Sequence, residues 1–244
     1  MNIIDDLLAE QGRIASILSQ LDSRGWATPS RCAGWTIRDV VLHLAQSEEA
    51  AAVTVRLPVN TRDRAVVARG VDTAAERAVE AERSAPEVVF ERWRQACEAF
   101  VIAYREADPH ATVQWVGGTL KPATLATTRL AEHWAHGLDI AGPLGVDYPD
   151  TNRLRHIAWL GHRTLPYAFT LAGRAPQPVY CELDAPEGGE PWRLGAADAP
   201  SSIRGDGGAF CRVGARRLGP GESRLVTTGP HGDAALAVLR NYAA

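Results

Sequence analysis

Four segments in the first 140 or so residues repeat apolar side chains at the period of about 3.6 that defines an α-helix, which commits most of the chain to packing helix on helix. In the first, Ile4, Leu7, Leu8, Ile14, Ile17, Leu18 and Leu21 recur on one face, and Arg24-Gly25 ends the run. Thr36 followed three residues on by Asp39 reads as a capping box, so a second helix is expected from Ile37 to about Val55, with Trp35 placed to staple onto Val40. Ser84 and Pro86 open a third, whose apolar side carries Val89, Trp93, Ala96, Phe100 and Tyr104. The fourth begins near Pro122, after Gly117-Gly118, and runs to Ile140, closed by Gly142-Pro143.

Past Tyr148 the pattern changes. A helix over 150–171, interrupted at Pro166, precedes short extended runs at Pro178–Leu183, Trp192–Leu194 and Arg224–Thr228. Helical stretches at Gly208–Leu218 and Asp233–Tyr242 alternate with those strands, which is the signature of a small α+β domain. Two domains follow, a helical one over 1–147 and an α+β one over 148–244. Residues 58–85 are charged and weakly periodic, and read as a loop followed by an irregular helical segment.

Composition narrows the function classes. With 45% hydrophobic and 23% charged residues among 244, the chain is an ordinary globular mixture. A net charge of −3, without a run of Lys and Arg, argues against nucleic acid as a partner, and no apolar run approaches the ~20 residues that span a bilayer. The cysteines Cys32, Cys97, Cys181 and Cys211 are far apart and form no C-x-x-C pair, and the opening residues lack a charged-then-apolar secretory pattern. A reduced, cytoplasmic protein acting on a small molecule is expected.

Two places carry chemistry. His43 lies at the edge of the apolar stripe of the second helix, where an imidazole is either a structural residue bonded to a neighbour or a ligand. In the fourth helix, Glu132 and His136 are four residues apart and project from one face, a pairing that suits a borderline-soft divalent metal. Arg129 and Asp139 extend that face, so a solvated salt-bridge ladder is the competing reading. His133 points about 100° away and is excluded from the set. Asp39, one turn before His43, either orients that imidazole or serves only as a cap. Cys32 precedes the second helix without a partner motif. Phosphate-binding loops and Ser-His-Asp elbows are absent from the sequence.

Taken together, TPSRCAGWTIRDVVLHLAQSEE and TTRLAEHWAHGLDI resemble the mycothiol-dependent maleylpyruvate isomerase family, a branch of the DinB-like metal-binding superfamily. The nearest likeness is to an actinobacterial branch described only as metal-binding. The resemblance implies a DinB-like four-helix bundle joined to a small C-terminal α+β domain, with His43, Glu132 and His136 as metal ligands. Zinc is the implied ion, although Ni2+ or Fe2+ also suits two imidazoles and a carboxylate. The implied activity is a thiol-dependent isomerase or transferase in which metal-activated mycothiol adds to a small electrophilic organic acid, a bond rotates, and elimination releases the product. Thiol-independent cyclase, lyase or hydrolase chemistry on the same metal, and a non-catalytic metal-binding regulatory module, are the alternatives. Arg216 and Arg217 are candidates for bidentate binding of substrate carboxylates.

Overall fold

The computed structural model describes residues 2–57, 71–116 and 118–242, and the chain divides into two compact units, one reaching to Tyr148 and the other spanning Pro149–Tyr242. In the first, α1 (Ile3–Leu18) starts at Asn2, whose side chain accepts the Ile4 N–H at 3.0 Å, and Asp5 and Asp6 face the positive end of the helix dipole. The helix stops short of Leu21 because Asp22 starts a separate turn, α2 (Ser23–Trp26), by accepting the Gly25 N–H at 2.7 Å. The capping box opens α3 (Ile37–Arg56): the Asp39 carboxylate accepts from the Thr36 N–H at 2.9 Å and from its hydroxyl at 2.7 Å.

Within the segment 58–85, residues 58–70 lie outside the described residues, and α4 (Val71–Glu80) follows them. Helix α5 (Pro86–Glu106) begins with proline at its first position and no side-chain cap, since Ser84 donates instead to the Glu82 carboxylate at 3.1 Å. A short antiparallel hairpin of β1 (Val113–Trp115) and β2 (Gly118–Leu120) then appears, which the sequence pattern did not reveal because three-residue strands are too short to display alternation.

Helix α6 (Pro122–Leu144) runs past the expected stop at Ile140 and ends on Gly145, whose φ of 65° is left-handed. Pro143 lies inside its last turn and has no N–H for the carbonyl four residues back, which is that of Asp139. The Arg31 N–H takes that carbonyl at 3.2 Å, so the proline that would break the helix instead docks the loop before α3 onto it. The Arg31 guanidinium lies where a Cβ on Gly142 would sit, 2.6 Å from that position.

The long helices α1, α3, α5 and α6 enclose a core that includes Leu7, Ile14, Ile37, Leu44, Trp93, Phe100, Leu125 and Trp134, all 1% exposed or less. Helix α3 lies against α5 and α6, and α1 against α6. The α1–α6 contact depends on glycine, because a Cβ on Gly137 would stand 2.3 Å from the Tyr148 hydroxyl, which donates to buried Glu10 at 2.5 Å. Gly137→Ala is therefore expected to cost ~2–4 kcal/mol by overpacking and by displacing the Tyr148 hydroxyl from Glu10. Thermal or urea unfolding beside the wild type checks this, and an unchanged midpoint would contradict it.

In the second unit α7 (Leu154–Arg163) and α8 (Leu165–Leu171) divide at Thr164, whose hydroxyl accounts for the break by bonding back to the Leu160 carbonyl at 2.9 Å and across to that of Arg240 at 2.7 Å. Pro166 falls in the first turn of α8, where it costs no hydrogen bond. The strands β3 (Tyr180–Asp184), β4 (Trp192–Leu194), β5 (Ser202–Asp206) and β6 (Val226–Thr228) form one sheet in the order β4-β3-β5-β6, with β3 and β5 parallel. Strand β5 escaped the sequence reading; its Ser202-Ile-Arg-Gly-Asp lacks the β-branched density of its neighbours. Asp206 then caps α9 (Gly207–Gly214) through the Ala209 N–H, a 3-10 turn covers Pro220–Glu222, and α10 (Gly232–Val238) packs on β6 and α8.

Candidate metal centre

The capping box of α3 and the proline start of α6 set the phase in which these helices present their polar residues, and the two bring His43, Glu132 and His136 together. Glu132 Oε2 lies 3.7 Å from His43 Nε2 and 3.5 Å from His136 Nε2, and one ligand atom from each of the three side chains falls within 4.8 Å of the others. Ligands on a tetrahedral ion with bonds of about 2.1 Å stand roughly 3.4 Å apart, so these separations suit a shared divalent metal. The His43 and His136 rings meet edge to face at 5.0 Å, and Trp35 lies 5.3 Å from His43. His43 and Glu132 keep 17% and 27% of their side-chain surface exposed, which leaves the centre open on one side.

His136 is held from behind. Its Nδ1 lies 3.0 Å from Asp139 Oδ2, one helical turn on, and Asp139 is only 1% exposed. That contact holds a ring proton on Nδ1 and turns Nε2 toward the Glu132 carboxylate, the side from which a metal would be met. The Cys32 thiol donates to the same carboxylate oxygen at 3.2 Å, and its sulfur stands 3.7 Å from His136 Nδ1. Cys32, His136 and Asp139 are thus a second ligand-like group sharing one imidazole. Its separations are already those of hydrogen bonds, and Asp139 is sealed from solvent, so we read it as the support of His136.

Electrostatics follow from these contacts. Burial pushes the His43 imidazole below its ordinary range. Burial acts the same way on His136, but Asp139, Cys32 and Glu132 outweigh it and hold that imidazole well above its usual range. Burial raises Glu132, yet His136, His43 and Arg129 hold its carboxyl well below the usual range.

A buried polar layer lies beneath the centre. Arg129 and Glu48 are almost wholly buried, with Arg129 Nη2 3.8 Å from Glu132 Oε1 and Arg129 Nε 3.8 Å from Glu48 Oε1. Among the described residues neither Glu48 oxygen accepts a hydrogen bond, His133 Nδ1 standing 3.5 Å from Oε1, and burial pushes its pKa up to about 7. His133 faces this layer: its Nδ1 donates to the Arg129 carbonyl at 2.8 Å, and its Nε2 accepts from the Trp93 indole N–H at 3.1 Å. Burial drives its pKa down to about 3, so it stays neutral. The polar face of α6 is therefore an interior feature and no solvated ladder. Glu48 carried a legible signal, since it continues the stripe Ile37, Val41 and Leu44 at helical spacing.

Asp39 is committed to the α3 cap and to Arg38, whose Nη2 donates to it at 2.7 Å. The orienting carboxylate is Asp139, on the other helix and against the other histidine. Arg216 and Arg217 follow α9 in the second unit; Arg216 is exposed at a left-handed φ of 61°, and Arg217 Nη1 donates to the Ala215 carbonyl at 2.7 Å. All four cysteines are free thiols, and among the described residues no helix is long and apolar enough to cross a membrane.

A family profile described as the mycothiol maleylpyruvate isomerase N-terminal domain matches residues 7–141, which takes in every residue of this centre. An uncharacterized protein of Mycobacterium tuberculosis, found in two strains, is 33% identical over 212 residues, covering 85% of this chain and 82% of its own length. Among solved structures, the mycothiol-dependent maleylpyruvate isomerase aligns with a TM-score of 0.60 at 15% identity, covering 93% of this chain and 91% of that one. A mutant of that enzyme aligns with a TM-score of 0.61 at 14% identity over the same shares. At this identity the structural likeness speaks for the fold: a largely helical unit followed by a small sheet-containing one.

Proposed function

Since the chain belongs to the mycothiol maleylpyruvate isomerase N-terminal domain family, we propose that it is a divalent-metal enzyme using a low-molecular-weight thiol, mycothiol, to isomerise or transfer onto a small electrophilic organic acid. The observation that carries the reading is the convergence of His43 and His136 nitrogens on one oxygen of Glu132. Two imidazoles, with His136 releasing its Nε2 proton as the metal binds, and one carboxylate fit zinc and leave room for a further ligand.

In this reading His136 offers Nε2 with its ring fixed by Asp139, Glu132 offers Oε2, and His43 closes the set from α3. When bound, a metal supplies positive charge that lowers the pKa of a thiol, which is the nucleophile that addition, bond rotation and elimination require. Trp35 walls the histidine side, and the exposed edges of His43 and Glu132 give substrate its approach. Arg216 and Arg217 remain the candidates for a substrate carboxylate.

Offering the metal-loaded protein maleylpyruvate or another cis-unsaturated organic diacid, with and without mycothiol, tests the proposal. Turnover that needs both thiol and metal is the expected result. Turnover indifferent to the thiol would overturn the thiol-dependent reading.

A further inference from the structure

Glu132 divides its two oxygens between different neighbours. Oε2 faces both imidazoles, whereas Oε1 faces Arg129 Nη2 at 3.8 Å. Arg129 in turn lies among three groups: its guanidinium is 5.1 Å from the Trp115 ring centroid, its Nη2 faces Glu132 one turn on in the same helix, and its Nε faces Glu48 on α3. Both charged residues are buried to within 3% of complete, yet among the described residues two Arg129 nitrogens and both Glu48 oxygens find no hydrogen-bond partner. A buried ion pair with loose geometry contributes little to stability, because removing both charges from water costs more than a 3.8 Å contact returns. Its placement therefore asks for another explanation.

Resting on the metal reading above, we infer that Arg129 and Glu48 are positioning residues: Arg129 holds the outer oxygen of Glu132 so that the carboxylate presents one oxygen to the metal, and Glu48 is the counter-charge that keeps Arg129 there. The point is coordination number. A carboxylate free to swing offers both oxygens and fills a position that a thiol or substrate needs, whereas a clamped one leaves it open. Arg suits the task because it is always charged and its planar fork addresses two carboxylates at once. Glu48, fully buried and raised toward neutrality, is the expensive member, and its cost is borne by folding.

Cobalt(II) is the probe, since its visible absorption weakens as ligands are added. Wild type, Arg129→Gln and Glu48→Gln are loaded with Co2+, and spectra, affinity and metal-free melting temperature are recorded at pH 8. Arg129→Gln is expected to weaken and shift the bands as Glu132 turns to bind through both oxygens. Glu48→Gln, a near-isosteric change, is expected to bind cobalt roughly tenfold more weakly while melting higher than wild type without metal. A purely structural role would not move affinity and stability in opposite directions. Stoichiometric uptake by all three proteins with superimposable spectra and equal affinities overturns the inference alone. A wild type that takes up no cobalt overturns the metal reading and this inference with it.

Discussion

His43→Ala, Glu132→Gln and His136→Ala are each expected to lower the affinity for zinc by at least about a thousandfold, against the roughly 10–100-fold that loss of a group merely supporting a ligand costs. Each removes one of three donors, and the remaining two cannot replace it from the same helix face. Among the described residues Glu132 is the carboxylate that faces Nε2 of both histidines, so its loss takes the anionic donor out of the set. His43 is partly exposed, so its alanine variant should fold like the wild type and report on metal alone. Equilibrium competition with a chromophoric chelator gives the affinities, and circular dichroism checks the fold. Retention of wild-type affinity in His43→Ala would remove α3 from the centre.

The second large effect concerns folding. His133→Ala is expected to destabilise the protein by ~3–5 kcal/mol at pH 7, because it opens a cavity and orphans the buried Trp93 indole N–H. This penalty should depend on pH in a definite direction. The folded pKa of His133 is about 3, below the ordinary 6.5, so as pH falls the unfolded chain takes up this proton first. The stability the wild type draws from His133 is therefore complete above pH 6.5 and is lost toward pH 3 at about 1.4 kcal/mol per unit. The gap between wild type and variant should narrow below pH 6.5. Urea unfolding at pH 7.5, 6 and 5 measures it, and a gap that widens toward acid contradicts the assignment.

These two predictions draw on parts of the molecule that were unequally legible in the sequence. The long helices follow from apolar period and caps, and the Thr36–Asp39 box could be read directly because capping is local. His43 and His136 are far apart in sequence, and nothing in spacing brings them together; packing of α3 on α6 does so, and only the family resemblance pointed there. Asp139 was visible on the face of Glu132 and His136, but its burial was not, since burial depends on what covers the helix. Pro143 misled for the same reason: its broken hydrogen bond is repaired by Arg31 from a distant loop. The β1–β2 hairpin and β5 were missed because short strands carry too little pattern.

X-ray absorption at the zinc edge of the loaded wild type tests the central claim most directly. The account predicts only light-atom neighbours at about 2.0–2.2 Å, with the scattering signature of two imidazoles and one carboxylate oxygen. A sulfur neighbour near 2.3 Å in protein free of added thiol would place the ion against Cys32 and Asp139, on the other side of His136, and contradict it.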